Sequence, residues 1–152
     1  MKKTVLVFAL LALTFVLTGC GNQTQQNNSN SQVNASSAVE IAKAEKIMVI
    51  DFHGTQRCYS CQTIEKYAHE TLEEYFQKEL ADGKITFQSI NGELSENQAT
   101  VIKYQARGSS LFVNAIRDGK DNIEEDTMVW RLVGDEQKFK EYFKEKINNL
   151  LK

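Results

Sequence analysis

The chain has 152 residues, which is enough for one domain with a modest core. It carries 18 basic and 20 acidic side chains, and the formal net charge is −2. This mixed balance provides no basic surface of the kind that nucleic-acid-binding proteins use, so we expect no nucleic-acid partner. The sequence contains neither an internal repeat nor a composition shift that would mark a second folded domain.

The first twenty residues have the pattern of an export signal. Lys2 and Lys3 precede an apolar run over residues 5–17, which is too short for a comfortable membrane span. Residues 17–20 resemble the lipobox of bacterial lipoproteins. That resemblance implies removal of residues 1–19 and acylation of Cys20, which would anchor the protein outside the cytoplasm, on the cell membrane or on an outer membrane. An ordinary cleaved signal peptide and an uncleaved anchor are the alternatives.

The segment after the export signal is polar. Residues 21–37 are nearly all Asn, Gln, Ser, Thr and Gly, and such a composition cannot bury enough apolar surface to offset the entropy of ordering. We therefore interpret 20–37 as the acylated cysteine with a disordered tether, and 38–152 as the folded domain. With Cys20 assigned to lipid, Cys58 and Cys61 remain, and an extracytoplasmic location permits a disulfide between them.

Hydrophobic periodicity predicts the elements of the domain in chain order. Residues 38–46 are ambiguous between a short helix and a lead-in strand, whereas residues 46–52 are typical of a buried strand. From Tyr59 the spacing becomes helical. One apolar helix face comprises Cys61, Ile64, Ala68, Leu72, Tyr75, Phe76 and Leu80. Residues 84–90 predict a second strand.

The second half of the domain adds a helix, a hairpin and a final helix. Ser95 and Gln98 have the spacing of a capping box and predict a helix through about Lys103. Residues 111–116 and 126–133 predict two strands that form an antiparallel hairpin around an Asp-Gly turn, with Trp130 in the second strand. After Gly134 an amphipathic helix presents Phe139, Tyr142, Phe143, Ile147, Leu150 and Leu151. The predicted order is β-α-β-α-β-β-α.

This order, with Cys58 and Cys61 where the first strand meets the first helix, resembles the thioredoxin fold. The residues that match thioredoxins are Asp51, Phe52, Asn97, Thr100, Lys103, Tyr104, Arg107, Gly108, Asp118, Gly119 and Gly134. The resemblance covers roughly residues 46–152. It implies an α/β, thioredoxin-like fold in which helices flank a central mixed β-sheet of about four strands.

The chain departs from thioredoxins around its two cysteines. The departures within the cysteine loop are His53, Arg57, Tyr59 and Ser60, and the loop before Cys58 is one residue longer. Ser110 stands where thioredoxins have a cis-proline. Because a cis bond before serine costs about 2.5–4 kcal/mol, we expect a trans peptide there, in a loop that lines a groove for an extended client peptide.

The placement of the two cysteines predicts reversible dithiol–disulfide chemistry. Cys58 lies at a helix start, where unpaired N–H groups and the helix dipole favour a thiolate, and Arg57 adds a neighbouring cation. We therefore predict Cys58 as the nucleophile and Cys61, one turn later on the apolar face, as the resolving thiol. An inert disulfide that only staples the helix start is the alternative.

Asp51 matches the buried carboxylate that assists proton transfer at the resolving cysteine of thioredoxins. The resemblance therefore implies that Asp51 is a general base with a pKa raised by burial. A solvated aspartate at the end of a strand is the alternative.

Two other functions fit the same residues. Cys58, Cys61 and His53 have the donor types that a soft metal such as Cu(I) or Zn prefers, although no fourth ligand is evident. A non-catalytic interaction module is the second alternative. For the redox function, which we prefer, we expect client protein thiols or disulfides and a membrane-bound redox partner, with no cofactor and no metal.

Overall fold

The computed structural model describes residues 42–152, so the predictions for the signal peptide, Cys20 and the tether lie outside the described residues. Within residues 42–152, no helix is both long enough and apolar enough to cross a membrane. The elements in chain order are β1 (Lys46–His53), α1 (Tyr59–Tyr75), α2 (Gln77–Ala81), β2 (Ile85–Asn91), a 3₁₀ turn (Ser95–Asn97), α3 (Gln98–Tyr104), β3 (Ser110–Ile116), β4 (Ile123–Glu125), α4 (Val129–Leu132) and α5 (Glu136–Leu151).

The four strands form one mixed sheet in the order β2-β1-β3-β4. β1 pairs in parallel with β2 and antiparallel with β3, and β3 pairs antiparallel with β4. β1 is therefore a central strand, which is why its apolar run is buried on both faces. The central mixed sheet of four strands flanked by helices is confirmed.

The alternation of side chains along β1 divides the core between the two faces of the sheet. Ile47 and Val49 belong to a cluster that contains the buried faces of α1 and α5. Ile50 and Phe52 point to the other face, where they pack with Tyr104 at the end of α3. Asp51 alternates with Ile50 and Phe52, so its side chain lies on the same face as α1.

The amphipathic stretch after the cysteines is interrupted at Phe76, so the prediction of a single helix through Leu80 is wrong in this respect. α1 ends at Tyr75, and Phe76 has a non-helical backbone with φ −132° and ψ 33°. The Phe76 ring is buried in the core, and its N–H still donates to the Leu72 carbonyl at 2.9 Å. The predicted apolar face is retained only in part: Leu80 of α2 packs on the same core as α1, whereas Tyr75 is 42% exposed.

The prediction of a strand over residues 126–133 is wrong. β4 ends at Glu125, and Trp130 lies in the short helix α4. The cause is Asp126, whose Oδ1 accepts from the Met128 N–H at 3.2 Å and from the Tyr142 hydroxyl at 2.9 Å. An aspartate that accepts from the backbone two residues later initiates a turn rather than continuing a strand.

The predicted hairpin turn at Asp118 and Gly119 is present. Both residues have positive φ, 50° and 67°, as expected for a two-residue turn of type I′. Arg117 and Lys120 close the turn with a pair of backbone hydrogen bonds.

The capping box predicted from Ser95 and Gln98 does not form. The Ser95 hydroxyl donates to Glu96 at 3.4 Å, and Gln98 Nε2 donates to the Gly92 carbonyl at 2.8 Å. The chain enters α3 through the 3₁₀ turn, and no side chain caps either segment.

Candidate active site

The two cysteines lie where the central strand passes into α1. β1 ends at His53, a short loop follows, and Cys58 is the N-cap of α1 with an extended backbone (φ −75°, ψ 162°). Parallel pairing with β2 places this loop at the carboxyl edge of both strands. The site is therefore built on a central strand of the sheet and the longest helix of the described chain.

Cys58 and Cys61 form a disulfide with a Cα–Cα separation of 5.2 Å. Cys58 is exposed, whereas Cys61 is only 8% exposed, on the buried side of α1. The Cys61 N–H donates to Cys58 Sγ at 3.1 Å. In the reduced protein the same N–H and the helix dipole would favour the Cys58 thiolate, so the geometry suits the predicted order of an accessible nucleophile and a sheltered second thiol.

Asp51 is a buried carboxyl group beneath this junction, with 3% exposure. The solvated alternative for Asp51 is therefore excluded. Burial, and after it the charge of Glu65, raises the pKa of Asp51 to about 7, although Arg57 and the Ser89 hydroxyl oppose the increase. A carboxyl group with this pKa can both accept and release a proton near neutral pH, which general-base catalysis requires.

Arg57 contacts two carboxylates. Its Nη2 donates to Asp51 Oδ2 at 3.3 Å, and the same nitrogen forms an ion pair with Glu65 Oε2. The cation beside Cys58 is thus shared with two negative groups instead of acting on the thiol alone.

Glu65 is a site residue that the sequence reasoning missed. Although partial burial acts in the opposite direction, hydrogen bonds from Ser89 and Arg57 hold the pKa of Glu65 below its usual range. The available signal was its position four residues after Cys61, which places it one turn further along the same side of α1.

The loop before Cys58 is held by residues at the end of β2 and just after it, which sequence reasoning also missed. Glu93 Oε2 accepts from the Thr55 N–H at 3.0 Å, and Asn91 Nδ2 donates to the Thr55 hydroxyl at 3.1 Å. A Cβ at Gly54 would lie 2.7 Å from the Glu93 carboxylate, so this close approach requires glycine unless Glu93 moves. The signal was the turn-forming sequence at residues 91–93.

The remaining predicted residues surround the disulfide in different ways. Tyr59 is 81% exposed next to Cys58, and Ser60 is half-buried. His53 is half-buried, and its Nδ1 hydrogen-bonds to the Gly54 carbonyl at 2.9 Å. Ser110 opens β3 opposite Phe52, is 4% exposed, and donates through Oγ to the Gly108 carbonyl at 3.1 Å.

The described residues do not assemble the ligands that the metal-binding alternative needs. Across residues 42–152 there is no group of three or more His, Cys, Asp and Glu side chains that could hold a metal ion. His53 therefore does not join Cys58 and Cys61 in a ligand set, and the site gives the soft-metal alternative no support.

Neither the known protein-family models nor the curated proteins contain a match to this chain. Solved structures do resemble it. The Trx4 domain of ERdj5 is 14% identical, with a TM-score of 0.47 over 70% of this chain and 83% of that domain. A thioredoxin from Thermus thermophilus is 13% identical, with a TM-score of 0.46 over 69% and 76% of the two chains. A thioredoxin from Fasciola hepatica is 18% identical, with a TM-score of 0.41 over 67% and 82%.

These similarities are low, so the fold is assigned from its own topology. The sheet order β2-β1-β3-β4, with a parallel β1–β2 pair and an antiparallel β3–β4 hairpin, gives the central mixed sheet of about four strands that the resemblance implied. The Cys58–Cys61 disulfide lies at the junction of β1 and α1, where that arrangement requires it. Residues 42–152 therefore have a thioredoxin-like fold with a Cys-x-x-Cys disulfide at the start of its first helix.

Proposed function

We propose that this protein is a membrane-anchored, extracytoplasmic thiol–disulfide oxidoreductase that exchanges disulfides with client proteins. The observation that carries the proposal is the unequal exposure of a bonded pair, in which accessible Cys58 caps α1 and Cys61 is sheltered behind it. A disulfide serving only as a staple across four residues would add little stability, because so short a loop has little closure entropy to remove.

The exchange takes two steps. The Cys58 thiolate attacks one sulfur of a client disulfide, which forms a mixed disulfide and releases one client thiolate. Asp51 accepts the proton of Cys61, and the resulting Cys61 thiolate attacks Cys58 Sγ. The second client thiolate leaves, the Cys58–Cys61 disulfide forms, and the client has gained two electrons. The reverse sequence oxidises a client dithiol.

Two further parts of the proposal follow from the N-terminal pattern. Cys20 carries the lipid anchor, and residues 20–37 let the domain reach clients near the membrane. A membrane-bound redox partner restores the working redox state of the Cys58–Cys61 pair.

Reversibility of the disulfide tests the proposed chemistry. We expect Cys58 and Cys61 of the full chain to pass together between dithiol and disulfide as the ratio of reduced to oxidised glutathione is changed. Alkylation followed by mass spectrometry of the peptide that contains both residues gives the reduced fraction. A pair that stays oxidised at every ratio, while the protein remains folded, would identify an inert staple and contradict the proposal.

The anchor has a separate test. Cys20→Ala should move the protein from the membrane fraction to the soluble fraction, because the attachment site for the acyl chains is lost. Immunoblotting of fractionated cells measures the distribution, and Cys58→Ser is the matched control that should stay with the membrane. Equal membrane retention of both variants would argue for an uncleaved hydrophobic anchor instead.

A further inference from the structure

The carboxyl groups of Asp51 and Glu65 both meet the Arg57 guanidinium near the disulfide. Two acidic groups therefore share one cation. Arg57 Nη2 lies 3.3 Å from Asp51 Oδ2 and is also paired with Glu65. The side chain of Asp51 is 4% exposed, whereas those of Arg57 and Glu65 are 23% and 26% exposed. One buried and one partly exposed carboxylate therefore compete for a single guanidinium.

Each member of this group comes from a different part of the junction that carries the dithiol. Asp51 lies on β1, Arg57 directly precedes Cys58, and Glu65 lies on α1 one turn after Cys61. A change in the position or charge of any one of them therefore changes the electrostatic potential near the reacting sulfurs.

The other groups that face Asp51 are few. Ser89 is its register partner on β2, and the Ser89 hydroxyl lowers the pKa of both Asp51 and Glu65. That hydroxyl has one proton, so it donates to one carboxylate at a time. The register partner on β3 is the apolar Leu111, and His53 on β1 acts on Glu65 through its charge when it is protonated.

We propose that Arg57 and Glu65 are positioning residues for disulfide exchange: Glu65 competes with Asp51 for the Arg57 guanidinium, and this shared pairing controls when Asp51 takes or gives up a proton. The inference rests on the proposed function only in its link to exchange, since the charge arrangement itself is independent of activity. Neither residue touches the reacting sulfurs in this role.

Electrostatics gives the two residues opposite effects on Asp51. Removing the charge of Glu65 removes a repulsion and leaves the guanidinium to Asp51 alone, so Asp51 should ionise more easily. Removing the charge of Arg57 leaves two carboxylates facing each other, so Asp51 should ionise less easily. A loss of local structure, by contrast, would let water reach Asp51 and move its pKa toward the ordinary value in both variants.

The test is the pKa of Asp51, followed by the NMR chemical shift of its carboxyl carbon in the oxidised full chain. From about 7 in the native protein, we expect a decrease of at least about one unit in Glu65→Gln and an increase of similar size in Arg57→Gln. Arg57→Lys, which keeps the charge, should stay closer to the native value. Glu73→Gln is the matched control, because Glu73 lies two turns further along α1 and pairs with His69.

Shifts in the same direction, or no shift in either variant, would overturn the inference. If Arg57→Gln does not fold, Glu65→Gln decides alone: a decrease with the backbone amide shifts around Asp51 retained supports the inference, whereas an unchanged value, or a decrease with those shifts lost, overturns it. The pH dependence of exchange, measured in parallel, should move in the same direction as the Asp51 pKa. A protein with opposed shifts but no exchange activity would contradict the proposed function while leaving the charge arrangement supported.

Discussion

Replacing Cys58 with serine is expected to abolish disulfide exchange. A hydroxyl group cannot form a disulfide, and Cys61 is too sheltered to attack a client directly. The rate of reduction of a model peptide disulfide by the protein, with dithiothreitol as electron donor, should fall to the rate without protein. Lys66→Gln, on an exposed position of α1, should retain the native rate.

A single-turnover form of this assay distinguishes the two cysteines. Pre-reduced Cys61→Ser, freed of dithiothreitol, should react once with the model disulfide and then stop at the mixed disulfide, because the second attack has been removed. Turnover by Cys58→Ser together with inactivity of Cys61→Ser would instead assign the attacking role to Cys61.

Replacing Asp51 with asparagine is expected to stabilise the protein above pH 7 and to lose this effect in acid. The pKa of Asp51 is about 7 in the folded protein against 3.8 for a free carboxyl group. Between pH 3.8 and about pH 7 the folded state keeps a proton on Asp51 that the unfolded state has lost, so folding requires proton uptake. Above about pH 7 Asp51 is ionised in both states, and its buried charge costs the folded state up to about 4 kcal/mol. Below 3.8 both states are protonated and the cost is absent.

Urea unfolding of oxidised native protein and Asp51→Asn at pH 4, 6 and 8 measures this difference. The loss of the contact with Arg57 adds a contribution of its own, so the change of the difference with pH is the diagnostic quantity. Asp118→Asn, in the exposed hairpin turn, is the control. A difference between Asp51→Asn and native protein that stays constant from pH 4 to pH 8 would show that burial does not perturb this carboxyl group.

Asp51→Asn should also slow disulfide exchange. Because Asp51→Asn removes the proposed acceptor for the proton of Cys61, the rise in exchange rate that Asp51 ionisation produces around pH 7 should disappear. The rise would remain if solvent accepted the proton directly.

Most of the fold followed from the periodicity of apolar residues. Strand β1 is a short apolar run buried on both faces, and α5 keeps Phe139, Phe143 and Ile147 on its buried side, as predicted. Both patterns are enforced by the core itself, which is why sequence reasoning recovers them. The error over residues 126–133 has the converse cause, because a short apolar run fits a buried strand or a buried helix equally well. The turn at Asp126 decides between strand and helix here, and it depends on a hydrogen bond from the Tyr142 hydroxyl, which is distant in sequence.

The residues of the candidate site also fall into two groups, those that sequence reasoning identified and those that it missed. Cys58 and Cys61 were identified from their spacing at the end of a predicted strand, and Asp51 was identified from its resemblance to the buried carboxylate of thioredoxins. Glu65, Ser89 and Glu93 act through contacts between separate elements. The spacing of Glu65 from Cys61 and the turn at residues 91–93 are weak signals, because neither pattern indicates which groups these side chains contact. The predictions for residues 1–41 lie outside the described structure and stay predictions.

The most direct test is mixed-disulfide trapping in cells that produce the full chain with Cys61→Ser. Because the resolving thiol is absent, the variant should accumulate client adducts through Cys58, visible as high-mass species that vanish on reduction. The double variant Cys58→Ser/Cys61→Ser should form none, and mass spectrometry of the adducts identifies the clients. If Cys61→Ser formed no adducts while the folded protein remained present, Cys58 would not be a nucleophile for client disulfides.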